Sequence, residues 1–94
     1  MIKTFRHRGL KELFERGTSA RVDPQQQARI KERLDAINRA ANLNALALPG
    51  YRTHVLQQFR PPRYSIRVSG AWRITFEFSG GDAYRVDLEQ YHDR

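Results

Sequence analysis

Between Tyr64 and Leu88, apolar residues recur at every second position in three consecutive runs. Tyr64, Ile66 and Val68 alternate with Arg63, Ser65 and Arg67. Trp72, Ile74, Phe76 and Phe78 alternate with Arg73, Thr75 and Glu77. Tyr84, Val86 and Leu88 alternate with Arg85, Asp87 and Glu89. A period of two gives each run one apolar and one polar face. Three such runs joined by short Gly-containing loops predict an antiparallel meander with one side covered and the other open. Cross-strand partners must share a face. Val68 and Trp72 therefore pair only if the loop at Ser69-Gly70-Ala71 has an odd count or a bulge, and Phe78 and Tyr84 likewise enclose an odd number of residues. Phe76 is then expected opposite Val86, Ile74 opposite Leu88, Arg73 opposite Glu89 and Glu77 opposite Arg85, with Arg63 near Glu77.

The cover is expected from the N-terminal half, where the period is 3.6. Leu10, Leu13 and Phe14 fall at helical spacing, and Gly17 is placed to stop that helix. Asp23-Pro24 reads as an N-cap followed by Pro at the first helical position, where its missing N–H costs nothing. Ile30, Leu34, Ile37 and Ala41 form one stripe with Arg29, Glu32, Arg33 and Arg39 off it, so a longer helix is expected over 24–41, with Asn42 and Asn44 at its end. Ile2–Phe5 alternates like a short strand, and Arg52–Leu56 is another. The expected architecture is one α+β domain over 1–94, in the order β-α-α-β-β-β-β, with two N-terminal helices packed on one face of an antiparallel sheet.

The chain of 94 residues carries 17 Lys and Arg against 10 Asp and Glu, a formal net charge of +7. Such an excess speaks to partners, not to fold, and favours nucleic acid or an acidic protein over a mere solubility device. The absence of cysteine removes a disulfide framework, a thiolate nucleophile and a Cys-based zinc site. His7, His54 and His92 have no short ligand spacing, and no H-E-x-x-H occurs, so neither metal nor cofactor is expected. Gly80-Gly81-Asp82 is a hairpin turn with no helix after it, not a phosphate-cradling loop. No apolar run spans a bilayer and the first residues lack a signal-peptide core, so a cytoplasmic protein without membrane contact is expected.

The chemistry is sought on the polar face. Arg67 and Arg73 lie on adjacent strands there, with Arg60 and Arg63 just before them. Guanidinium forks suit phosphate bidentately, and a row of them can track a backbone. The competing reading is a salt-bridge lattice, Arg85 with Glu77 and Arg73 with Glu89, but arginines outnumber carboxylates. His54 can take or give a proton near neutral pH; a histidine on such a strand is also often a plain polar residue. Tyr91 and His92 put a phenol and an imidazole beside the last strand, or are rim residues of the sheet. His7, between Arg6 and Arg8, is expected to face solvent.

Taken together, certain segments resemble a known family. They are Ile2-Lys3-Thr4-Phe5-Arg6-His7-Arg8-Gly9-Leu10-Lys11; Leu48-Pro49-Gly50-Tyr51-Arg52 with His54; Tyr64-Ser65-Ile66-Arg67-Val68; Trp72-Arg73-Ile74-Thr75-Phe76; Gly81-Asp82-Ala83-Tyr84; and Tyr91-His92. At this spacing the whole chain resembles the HigB toxins of type II toxin–antitoxin systems, in the RelE/ParE superfamily. The resemblance implies a RelE-like fold and a ribosome-dependent mRNA endonuclease that works in the A site without a metal. It also implies silencing by a HigA-like helix-turn-helix antitoxin, with operator DNA bound only through the antitoxin complex. It implies catalytic roles for His54, Arg73, Tyr91 and His92, while RNA contacts are expected from Arg60, Arg63, Arg67 and Gln90. Three positions depart from the family pattern: Gln90 where Asp is common, Gln57 where Lys is common, and Ala71 where Asn is usual. Gln90 cannot ionise, so a carboxylate role there must be absent or moved. The alternatives are a ParE-like gyrase inhibitor, a non-catalytic ribosome or RNA binder, and a purely structural module.

Overall fold

A computed structural model describes residues 1–91. Helix α1 (Arg8–Arg16) buries Gly9, Leu10 and Leu13 and ends at Gly17, whose φ of 84° suits only glycine; the Gly17 N–H closes on Leu13 O at 2.9 Å. Its start is set by His7. Expected to face solvent, His7 is half-buried, and its Nδ1 accepts the Leu10 N–H at 3.2 Å as the N-cap. The ring sits so close that a Cβ on Gly9 would meet His7 Cε1 at 2.8 Å and Arg21 Cβ at 2.9 Å. Loss of a side-chain cap costs about 1 kcal/mol. His7→Ala is therefore expected to destabilise the protein by about that amount, as read by urea denaturation with an unchanged m-value.

Helix α2 (Gln27–Arg39) is preceded by a 3-10 turn, Pro24–Gln26, whose cap is Asp23 Oδ1 accepting the Gln25 N–H at 2.9 Å. Ile30, Leu34 and Ile37 are fully buried on the expected stripe. The helix ends two residues earlier than expected, because Asn42 serves another element: its Oδ1 accepts the Ala45 N–H at 3.2 Å and caps a second 3-10 turn, Leu43–Leu46. Arg33 lies off the stripe yet is buried. Its guanidinium lies 4.3 Å over the Tyr51 ring, and its Nε donates to Arg67 O at 2.9 Å. A long arginine stem lies along apolar surface and carries the charge to a carbonyl.

Four strands form one antiparallel sheet in chain order: β1 (His54–Leu56), β2 (Arg63–Ser69), β3 (Trp72–Ser79) and β4 (Asp82–Gln90). Ile66, Val68, Ile74, Phe76, Ala83 and Val86 are fully buried against Leu10, Leu13, Ile30, Leu34 and Ile37, so both helices cover one face. Ile74 faces Leu88 and Arg73 faces Glu89, as parity requires. The extra residues that parity demands sit in bulges. Both hairpin turns have two residues, since Ser69 faces Trp72 and Ser79 faces Asp82; the register shifts between Arg67 and Ser69, and again between Thr75 and Glu77. The second bulge falls at Arg85, held at φ 51°. It overturns the expected place of Tyr84: Ala83 takes the covered face and Tyr84 stands opposite Glu77 on the open one.

The opening segment runs beside β4 as two parallel bridges, Ile2 to Ala83 and Phe5 to Val86, and not as a continuous ladder. The left-handed residue in β4 interrupts regular pairing, although Lys3 N–H to Ala83 O and Arg6 N–H to Val86 O both measure 2.8 Å. No helix among the described residues is long and apolar enough to cross a membrane.

Candidate functional site

The open face of the sheet, opposite the helices, gathers most of the polar residues singled out from the sequence. His54 is paired with Ser65, and Ser65 with Thr75, so the three form one cross-strand row. His54, at the start of the edge strand, is exposed, whereas Ser65 and Thr75 are buried. Arg73, half-buried on β3, reaches back to this row: one Nη1 donates to Ser65 Oγ at 2.8 Å and to Arg52 O at 3.2 Å. Arg52 has a φ of 46°, a left-handed conformation that non-glycine residues seldom adopt. Strain of this kind concentrates at functional sites. Here it lies two residues before His54, in the residue whose carbonyl receives Arg73.

Arg67 stands directly opposite Arg73. Opposed like charges destabilise a sheet. Neither guanidinium forms an ion pair with a carboxylate among the described residues. The lattice of Arg73 with Glu89 is not made, though the two face each other across the strands. Glu89 instead accepts from the Thr75 hydroxyl, in a very short contact, and from the Tyr91 hydroxyl at 3.5 Å. The other lattice pair is present but loose, with Arg85 Nε 3.9 Å from Glu77.

Two expected RNA contacts are placed elsewhere. Arg63 is 3 % exposed. Its Nη2 donates to Thr75 Oγ1 at 3.1 Å and to Arg85 O at 2.9 Å, and its Nη1 lies 3.4 Å from Glu77 Oε2. It braces the sheet from within, because the Arg85 bulge turns a carbonyl toward it that the ladder would otherwise use. Gln90 pairs with Trp72, which packs against the core, so its side chain leaves on the helix-bearing face, away from Arg73. Arg60 is exposed in the loop after β1, on an open groove of about 430 Å³ formed with Gln57, Phe59, Pro61 and Pro62. His92 lies outside the described residues.

Tyr91 is half-buried beyond β4, its N–H held by Ala71 O at 2.7 Å. Burial first, and the neighbouring Glu89 charge second, push its phenol above the ordinary tyrosine range, so it stays protonated at neutral pH. Ser65, Thr75 and Glu89 were not singled out from the sequence as site residues. The alternation that places Arg73 on the open face places them there too, since 65, 73, 75, 89 and 91 share its parity.

No group of three or more His, Asp or Glu among the described residues is placed to hold a metal ion. What the face offers is an imidazole, a phenol, a carboxylate and two guanidiniums that pair with no carboxylate among the described residues. That set can grip a phosphodiester and move protons around it.

Comparison with known proteins agrees in kind. The family model for RelE-like toxins of the type II toxin–antitoxin system HigB matches residues 3–93. A relative named Endoribonuclease HigB, from Proteus vulgaris, is 46 % identical over 92 residues, which cover 98 % of this chain and all of the relative.

Proposed function

We propose, for a chain that belongs to the RelE-like HigB toxins of type II toxin–antitoxin systems, that it is an endoribonuclease that cuts translated mRNA in the ribosomal A site. The observation that carries this reading is the Arg67–Arg73 pair, opposed and without carboxylate partners among the described residues, next to the exposed His54. A pair of like charges is tolerated where an anion is to be bound, and the fork geometry suits a phosphate. The name of the relative gives the same chemistry.

RNA is cut without a metal when its own 2′-OH attacks the adjacent phosphorus. A base takes the 2′ proton, the bond to the 5′-oxygen breaks, and an acid gives that oxygen a proton. In this reading His54 and His92 carry the protons, each worth about 10²–10⁴-fold. Arg73 stabilises the charge on the five-coordinate phosphorus, helped by Arg67 on the same face. Tyr91 positions the nucleotide, and Arg60 contacts the RNA backbone. The departure at position 90 is then accommodated: Gln90 is on the wrong face to serve, while Glu89 is on the right one. The partner of such a toxin is a HigA-like antitoxin, and operator DNA is met only through that complex.

The test is growth arrest on induction in cells lacking the antitoxin. The wild type is expected to arrest growth with truncated mRNA, and His54→Ala and His92→Ala to grow. Arrest by both histidine variants supports a non-catalytic ribosome binder, and DNA breaks in place of truncated mRNA support a gyrase inhibitor.

A further inference from the structure

We propose that Glu89 is a positioning residue that aims the Tyr91 phenol over the open face, as the last link of a buried chain starting at Arg63. The inference rests on the ribonuclease reading above and assigns that site a further residue. Arg63 donates to Thr75 Oγ1 at 3.1 Å, Thr75 donates to Glu89 Oε2, and Tyr91 donates to the same oxygen at 3.5 Å. The first two members are 3 % and 0 % exposed, so burial fixes the chain at its root. The last contact is long, as hydrogen bonds at catalytic sites often are before substrate tightens them.

Arg73 lies directly opposite Glu89, the register at which a cross-strand ion pair forms, yet its guanidinium turns to Ser65 and the Arg52 carbonyl. The carboxylate is thereby left to the two hydroxyls. The Tyr91 backbone is pinned separately, by its N–H to Ala71 O at 2.7 Å, so the phenol is held at both ends. Finally, a phenol whose one proton is given to a carboxylate presents its lone pairs outward. Tyr91 then acts as an acceptor for a hydrogen-bond donor of the RNA, a base amino group or a ribose hydroxyl, and the charged partner strengthens it in that role. Burial first and the Glu89 charge second push the Tyr91 phenol further above its ordinary range, so it holds this donor-and-acceptor form across neutral pH.

The experiment compares Glu89→Gln, Tyr91→Phe and the double variant in single-turnover cleavage of ribosome-bound mRNA. It adds thermal unfolding and a titration of Tyr91 followed by the ¹³C resonance of its ring carbon bearing the hydroxyl. Glu89→Gln keeps the shape and an acceptor oxygen but removes the charge. It is expected to slow cleavage about tenfold, the difference between a charged and a neutral acceptor. Tyr91→Phe is expected to slow it by at least as much, and the double variant to match Tyr91→Phe within about twofold. Melting should be unchanged, and the Tyr91 titration should move to lower pH in Glu89→Gln, because the charge that raised it is gone. Cleavage at the wild-type rate by Glu89→Gln, or an undiminished Glu89→Gln effect in the Tyr91→Phe background, overturns the proposal. The titration needs no ribosome, so it separates the two claims: a wild type that cuts no mRNA overturns the ribonuclease reading, whereas an unmoved Tyr91 titration overturns the role of Glu89.

Discussion

Arg73→Ala is expected to leave the protein folded and to lower mRNA cleavage by about 10²–10³-fold, the loss typical of removing one preorganised group that faces developing charge. The two effects separate because of where the guanidinium sits. Its bonds to Ser65 Oγ and the Arg52 carbonyl are the only ones it makes among the described residues. Such hydrogen bonds contribute about 1 kcal/mol each, and relief of the opposed Arg67 offsets part of the loss. Arg73→Lys is expected to recover little activity, since an ammonium cannot offer the planar fork. Single-turnover cleavage beside a thermal melt reads both quantities. Wild-type cleavage by Arg73→Ala would remove the guanidinium from the chemistry, and a collapse of the melt would recast it as part of the scaffold.

Arg63→Ala is expected to do the reverse. Both arginines alternate onto the open face, but Arg63 is 3 % exposed and bonds Thr75, Glu77 and the Arg85 carbonyl. Removing one partner of a buried charged network leaves the others unsatisfied and typically costs about 3–5 kcal/mol. For a domain of this size that is a fall in Tm on the order of 15–25 °C. Arg85→Ala is the control: that side chain is 66 % exposed and 3.9 Å from the same carboxylate, so its loss should stay within about 0.5 kcal/mol. Circular dichroism melts of the two variants decide the matter. Equal melts would mean that Arg63 braces nothing.

These two arginines also mark how far the sequence could be read. Periodicity placed both on the polar face, since it reports which side of the sheet a residue takes. It could not tell that Arg63 is enclosed while Arg73 is half-exposed, because enclosure depends on what closes over the face. Here that is the bulge at Arg85, a non-glycine residue at positive φ with no mark in the sequence. The same bulge moved Tyr84 to the open face, although parity had required an extra residue somewhere in that hairpin. The stripe of α2 and the Gly17 stop were legible because spacing and a residue type specify them directly. His7 was not, since a capping imidazole follows no common signature. At the site, His54 and Arg73 do converge through Ser65, and Tyr91 joins them through Glu89 and Thr75. Gln90 does not, because one step along a strand changes the face.

The open-face cluster is expected to cut mRNA on the ribosome. Primer extension on a defined mRNA, incubated with purified protein with and without programmed ribosomes, tests it most directly. The prediction is new 5′ ends within the A-site codon, seen with the wild type only when ribosomes are present and reduced at least a hundredfold by His54→Ala, on the order expected for a lost proton carrier. New ends of equal intensity with His54→Ala, or no new ends with the wild type on ribosomes, would contradict it.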